Sequence, residues 1–251
     1  ELGERHLDGE PDFNRIWGHG DTAHHNLAAE VISQARRCGL FASIDIHNNT
    51  GRNPIYGCVS SLRPEDLHLA ATFAPVGVYY LNPATTQSIA FSHLCPAVTL
   101  ECGKPGDPDG LKAAIDLLDY VLSTEHLPYK QPEPDALQLY ETVGRVVVEP
   151  SASLSFSGNE KADLMFRDDL ENLNFTHVKK GELWAHKHPD KNPMRVIDEH
   201  DADLTHEFFQ DSDDKIVLQQ EFVPAMITRE KDIIQQDCLC YLMKPLNWSA
   251  R

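Results

Sequence analysis

The sequence predicts an α/β protein with a largely parallel sheet flanked by helices, joined to a smaller β-rich unit. Three observations carry this. Short apolar runs suited to buried strands alternate with helical stretches from Asp21 to Ser123. A segment with three prolines, LPYKQPEPD, then interrupts the chain as a semi-rigid linker. Beyond it, β-prone runs are separated by charged loops and no long helical pattern recurs.

The first helix is predicted from Asp21 or Thr22 as cap to Gly39 as terminator, with Leu27, Val31, Ala35 and Cys38 on one face. FASIDIH follows as a strand ending at His47, and YGCVSS as another. RPEDLHLAATFA reads as a helix, VGVYYLN and AVTLECG as strands, and Asp109 to Ser123 as a further helix. These observations set an α/β unit at 1–127 and a β-rich unit at 136–251, the latter built from runs such as TVGRVVVEP, KIVLQQEFV and CLCYLM. In open α/β sheets ligands gather at the carboxyl ends of strands. His47 and Glu101 both stand at such ends.

Composition narrows the function classes. Lys and Arg number 22 against 39 Asp and Glu, a formal charge of −17, which disfavours nucleic acid as a partner. No apolar run reaches the roughly 20 residues a membrane helix requires, so no membrane partner is expected. Six scattered cysteines lack the density of a disulfide framework, and reduced thiols in a cytoplasmic setting are the expectation. Cys238 and Cys240 read as small apolar packing residues and not as a metal pair. His24 and His25 diverge as helical neighbours, and His186 and His188 read as solvated. There is no GxSxG elbow and no phosphate-binding loop, and WGHGDT lacks the third glycine of a dinucleotide fingerprint. The sequence is silent on oligomeric state and leaves a homo-oligomer open.

The informative pieces are PDFNR (Pro11 to Arg15), DIHNNTG (Asp45 to Gly51) and VTLECG (Val98 to Gly103), in that order. Arginine's planar fork matches a carboxylate, and a neighbouring Asn adds a donor without charge, so Asn14 and Arg15 suit an anion clamp. Asp45 lies two residues before His47 on the same strand face and can orient its imidazole. A carboxylate such as Glu101 beside an activated water can take its proton and pass it to a leaving nitrogen.

Together these motifs resemble the succinylglutamate desuccinylase/aspartoacylase family, a branch of the zinc carboxypeptidase clan. The resemblance covers Glu1 to Ser123 by motif and the remainder by layout. It implies a zinc carboxypeptidase-like domain with a mixed, largely parallel sheet, a β-rich C-terminal domain, and one zinc ion. It implies His47 as a metal ligand, Glu101 as general base, and Asn14 and Arg15 as the pair holding a substrate carboxylate. Arg5 is similar to the arginine that polarises the scissile carbonyl, at a spacing longer than the family's. The implied activity is hydrolysis of amide bonds in N-acyl amino acids or peptides. The family takes its first two zinc ligands from an upstream HxxE motif, and no HxxE occurs in the sequence. The expectation is that these ligands precede Glu1. The alternative is a non-catalytic protein that keeps the carboxylate clamp without the metal.

Overall fold

The computed structural model describes residues 9–157, 161–189 and 191–249. Helix α1 (Ala23–Cys38), strands β1 (Ser43–His47) and β2 (Tyr56–Val59), helix α2 (Pro64–Phe73) and strand β3 (Val76–Tyr79) come first. Helix α3 (Gln87–Ser92), strand β4 (Ala97–Glu101) and helix α4 (Pro108–Ser123) complete the alternating part. Strands β5 (Gln138–Val148), β6 (Leu154–Ser155), β7 (Leu164–Met165), β8 (Leu183–Lys187) and β9 (Met194–Ile197) follow. The chain then runs through α5 (Thr205–Phe208), β10 (Phe209–Ser212), β11 (Lys215–Leu218), β12 (Val223–Ala225), α6 (Lys231–Gln236) and β13 (Cys240–Pro245).

The main sheet has eight strands in the order β1-β4-β2-β3-β5-β13-β12, with β9 also on β5. Pairing is parallel at β1/β4, β2/β3 and β3/β5, and antiparallel at β4/β2, β5/β13, β13/β12 and β5/β9. The sheet is therefore mixed, and the long strand β5 carries it from the alternating part into the C-terminal part. A second sheet of five strands runs β10-β11-β8-β7-β6.

Local chemistry explains the helix ends. Thr22 caps α1 by accepting from His25 N at 3.3 Å, and Gly39 ends it at φ 68°, a conformation L side chains rarely adopt. Asp107 caps α4, accepting from Asp109 N at 2.9 Å, with Pro108 opening the first turn. The expected apolar stripe of α1 behaves otherwise. Leu27 is 56% and Val31 39% exposed, and Ala28 is the residue α1 buries. No described element presents an apolar layer to that stripe, so its periodicity yields a helix without yielding burial.

One core lies between α2, α4 and the sheet, where Leu67, Leu69, Val98, Leu100 and Leu117 are almost wholly buried. Trp248 from the far end of the chain joins it and donates through Nε1 to Leu137 O at 3.1 Å. A second core gathers Trp184, Phe208, Phe209 and Phe222 around the smaller sheet. Among the described residues, no helix is long and apolar enough to cross a membrane.

Three contacts set the position of β4, and with it Glu101. Asp66 of α2, fully buried, is gripped by Arg63 through Nε at 2.6 Å and Nη2 at 3.0 Å, and it accepts from Ala97 N at 2.9 Å. The buried carboxylate thus anchors the first residue of the strand while its charge is matched. Arg63 Nη2 also donates to Cys95 O at 2.9 Å. At the other end, Gly110 of α4 lies so near the turn after Glu101 that a Cβ there would sit 1.9 Å from Cys102 O. Only glycine admits that approach.

Candidate active site

Strands β1 and β4 are parallel neighbours with Asp45 opposite Thr99 and His47 opposite Glu101. Alternate residues share a face, so these four side chains form a patch at the carboxyl ends of both strands. The chain beyond is tied down by Cys102 N donating to His47 O at 2.9 Å and Asn49 N donating to Gly103 O at 2.9 Å. Asn48 Nδ2 adds a bond to Gly103 O at 3.3 Å. The two strand ends therefore hold each other.

His47 Nδ1 lies 3.8 Å from Glu101 Oε1, and His47 Nε2 lies 3.0 Å from Asp45 Oδ2. Asp45 Oδ2 is buried, and the imidazole is its close polar neighbour. The adjacent Asp45 carboxylate raises the His47 pKa, against the opposing effect of burial. Glu101 is 8% exposed, and burial pushes its pKa up to about 7, with His47 and a hydrogen bond from Asn49 pulling the other way. A carboxyl group so poised can both take and return a proton at neutral pH.

Asn49 was not singled out by the sequence reading. Its Nδ2 donates to Glu101 Oε2 at 3.3 Å, and its Oδ1 accepts from Asn53 Nδ2 at 3.2 Å. Asn53 Oδ1 in turn accepts from Met226 N at 2.9 Å, tying the loop to the C-terminal part of the chain. The same interface is tight at Gly51, where a Cβ would lie 1.9 Å from Ile227 O. The available signal was the run of polar residues directly after His47.

Asn14 and Arg15 stand in a short 3-10 turn, Phe13–Arg15, whose start is capped by Asp12 accepting from Asn14 N at 2.8 Å. Asn14 Oδ1 accepts from Gln87 N at 3.0 Å, which pins the amide and leaves its NH2 as donor. Arg15 Nη1 donates to Asn14 O at 2.9 Å. Asn14, Arg15, His47 and Glu101 all line one cavity of about 700 Å³, within the size range of small-molecule sites. Arg5 lies outside the described residues.

Part of the cavity's lining comes from distant sequence. Tyr241 on β13 lines the cavity, and burial holds its phenol well above the ordinary range. Tyr56 donates to Met226 Sδ at 2.9 Å, and burial keeps the Cys58 thiol protonated. No short motif marks Tyr241 and Met226, which reach the cavity through pairing of β13 with β5 and β12, whereas Tyr56 and Cys58 on β2 sit beside Glu101 and Thr99.

The donor set fits a metal ion only in part. With Nε2 turned to Asp45, Nδ1 of His47 is the nitrogen on the Glu101 side, a usual arrangement for an imidazole ligand. Among the described residues, however, no group of three metal-ligating side chains converges. These residues alone do not hold a catalytic zinc, which takes three protein ligands.

No family model and no curated protein sequence matches the chain. Solved structures do. Murine aminoacylase 3 aligns with TM-score 0.56 and 14% identity over 94% of this chain and 77% of its own. Succinylglutamatedesuccinylase/aspartoacylase from Rhodobacter sphaeroides aligns with TM-score 0.54 and 14% identity over 94% of this chain and 68% of its own. Succinylglutamate desuccinalase from Vibrio parahaemolyticus aligns with TM-score 0.52 and 14% identity over 95% and 66% of the two chains. Across 94% of its length this chain thus has the fold of the succinylglutamate desuccinylase/aspartoacylase structures, the zinc carboxypeptidase-like α/β architecture its motifs resemble.

Proposed function

We propose that the protein hydrolyses amide bonds in small carboxylate-bearing substrates, N-acyl amino acids or short peptides. The observation that carries this reading is the convergence of Glu101, His47, Asn14 and Arg15 on one cavity. In it, Arg15 forks onto the substrate carboxylate and the Asn14 amide adds a neutral donor. The scissile amide is then held toward the β1/β4 patch. Glu101 takes a proton from the attacking water and delivers it to the leaving nitrogen, so that the amine departs neutral. Asn49 holds the second oxygen of Glu101, which fixes the carboxylate's orientation through the transfer.

Zinc belongs to this reading as the ion that His47 would help to hold through Nδ1. Because the described residues do not complete its ligand set, the steps above rest on the protein's own groups. A reducing, cytoplasmic compartment belongs to the same proposal. The reading is tested by incubating the protein, with zinc supplied, with a panel of N-acyl amino acids and dipeptides and measuring amine release. Hydrolysis of panel members that keep a free carboxylate, and loss when that carboxylate is esterified, is the expected result. Binding of the panel without turnover would instead identify a carboxylate-binding protein.

A further inference from the structure

Met226 is held in an uncommon backbone conformation at the wall of the cavity. It follows strand β12 with φ 62°, in the left-handed region that residues with a side chain rarely adopt. Such conformations persist where the surroundings over-determine them, and they gather at ligand sites. Here side chains from distant parts of the chain do so. Asn53 Oδ1 accepts from Met226 N at 2.9 Å, and the Tyr56 hydroxyl donates to Met226 Sδ at 2.9 Å. Asn174, itself buried, clasps the next residue. Its Oδ1 accepts from Ile227 N at 2.8 Å, and its Nδ2 donates to Ile227 O at 3.0 Å. The Phe175 ring packs against Tyr56 at 4.7 Å between centroids, steadying the phenol that holds the sulfur.

This conformation places apolar surface beside the reacting centre. Tyr56 stands opposite Glu101 in the β2/β4 register. It shares an apolar cluster with Val78, Ala225 and Met243, on which the half-buried Cys58 and Met226 pack. All six line the cavity. A methionine side chain ordinarily bends to suit whatever it meets. With its sulfur bonded to Tyr56 and its backbone fixed, Met226 instead presents a wall of set height. Half-exposed apolar surface of this kind favours a ligand whose own apolar group covers it, because both are then removed from water.

We infer that Met226 is a specificity-determining residue, the wall of an apolar subsite that receives an apolar substituent of the ligand and limits its size. For turnover this rests on the hydrolase reading; for binding it does not. Calorimetry in a Glu101→Gln background, with zinc supplied, compares N-octanoyl-L-alanine with N-acetyl-L-alanine, and N-acetyl-L-phenylalanine with N-acetyl-L-alanine. Glycine adopts the left-handed conformation freely, so Met226→Gly removes the wall without straining the backbone. It should shift the affinity ratio of at least one pair by about tenfold or more in favour of the larger ligand. Met226→Leu, of similar size, should leave both ratios within about threefold of their starting values. The pair that responds identifies whether the acyl group or the side chain enters the subsite. Unchanged ratios in Met226→Gly, an equal shift in Met226→Leu, or no binding of any of the ligands would overturn the inference. A shifted ratio without amine release by the protein that retains Glu101 would leave the inference standing and count against the hydrolase reading.

Discussion

Asp45 Oδ2 stands 3.0 Å from Nε2 of His47, two residues further along the same strand. The carboxylate fixes the ring so that Nδ1 faces Glu101. Replacing it by the near-isosteric amide in Asp45→Asn removes the charge that raises the His47 pKa, so in metal-free protein that pKa should move down, read from the imidazole NMR titration. Amide hydrolysis should fall by about 10- to 100-fold, the usual loss for a group that orients a catalytic histidine. An unchanged titration would assign Asp45 a packing role only.

In the proposed function Arg15 holds the substrate carboxylate and not the reacting atoms. Arg15→Gln should therefore raise KM with little change in kcat, lowering kcat/KM by about 100-fold, the equivalent of losing one or two charge-assisted hydrogen bonds. Steady-state kinetics on an N-acyl amino acid separates the two. An equal fall in kcat would place Arg15 at the reacting carbonyl instead.

Gly51 and Gly110 hold the two strand-end loops against their neighbours, with a hypothetical Cβ 1.9 Å from Ile227 O and from Cys102 O respectively. Backbone cannot retreat as a flexible side chain can, so Gly51→Ala and Gly110→Ala should each cost roughly 1–3 kcal/mol in urea unfolding. A loss under about 0.5 kcal/mol at either position, the range of ordinary surface changes, would contradict the close approach.

Burial raises the Glu101 carboxyl from 4.5 to about 7. Between those values the folded, metal-free protein keeps a proton that the unfolded chain has released. Stability should therefore fall as pH rises through this window, by roughly 3 kcal/mol in all, and level off above it. Urea unfolding of chelator-treated protein at several pH values measures the slope. Glu101→Gln should flatten it.

Much of the alternating part was legible because its strands are short and apolar and its helices carry caps that act locally, Thr22 and Asp107 among them. Helix α3 was not, since Gln87–Ser92 is too short to show a period and is held by its neighbours, with Ser88, Ile89 and Phe91 buried. Strand order was equally hidden. Nothing in the sequence says that β4 lies between β1 and β2, yet that insertion is what sets Glu101 opposite His47. The motifs named part of the cavity's lining, whereas Tyr241 and Met226 arrive through pairing of β13 with β5 and β12, a long-range event with no local signature. The α1 stripe shows the reverse failure, a clear period at Leu27 and Val31 whose residues stay exposed.

The central claim is that Glu101 moves the proton in amide hydrolysis. Glu101→Gln keeps the side chain's size and its place beside Asn49 while removing the basic oxygen. Assayed with zinc on the best N-acyl amino acid of the panel, kcat should fall by at least about 100-fold, the usual contribution of a general base, while substrate Kd measured by calorimetry changes little. Equal kcat in the two proteins would contradict the account.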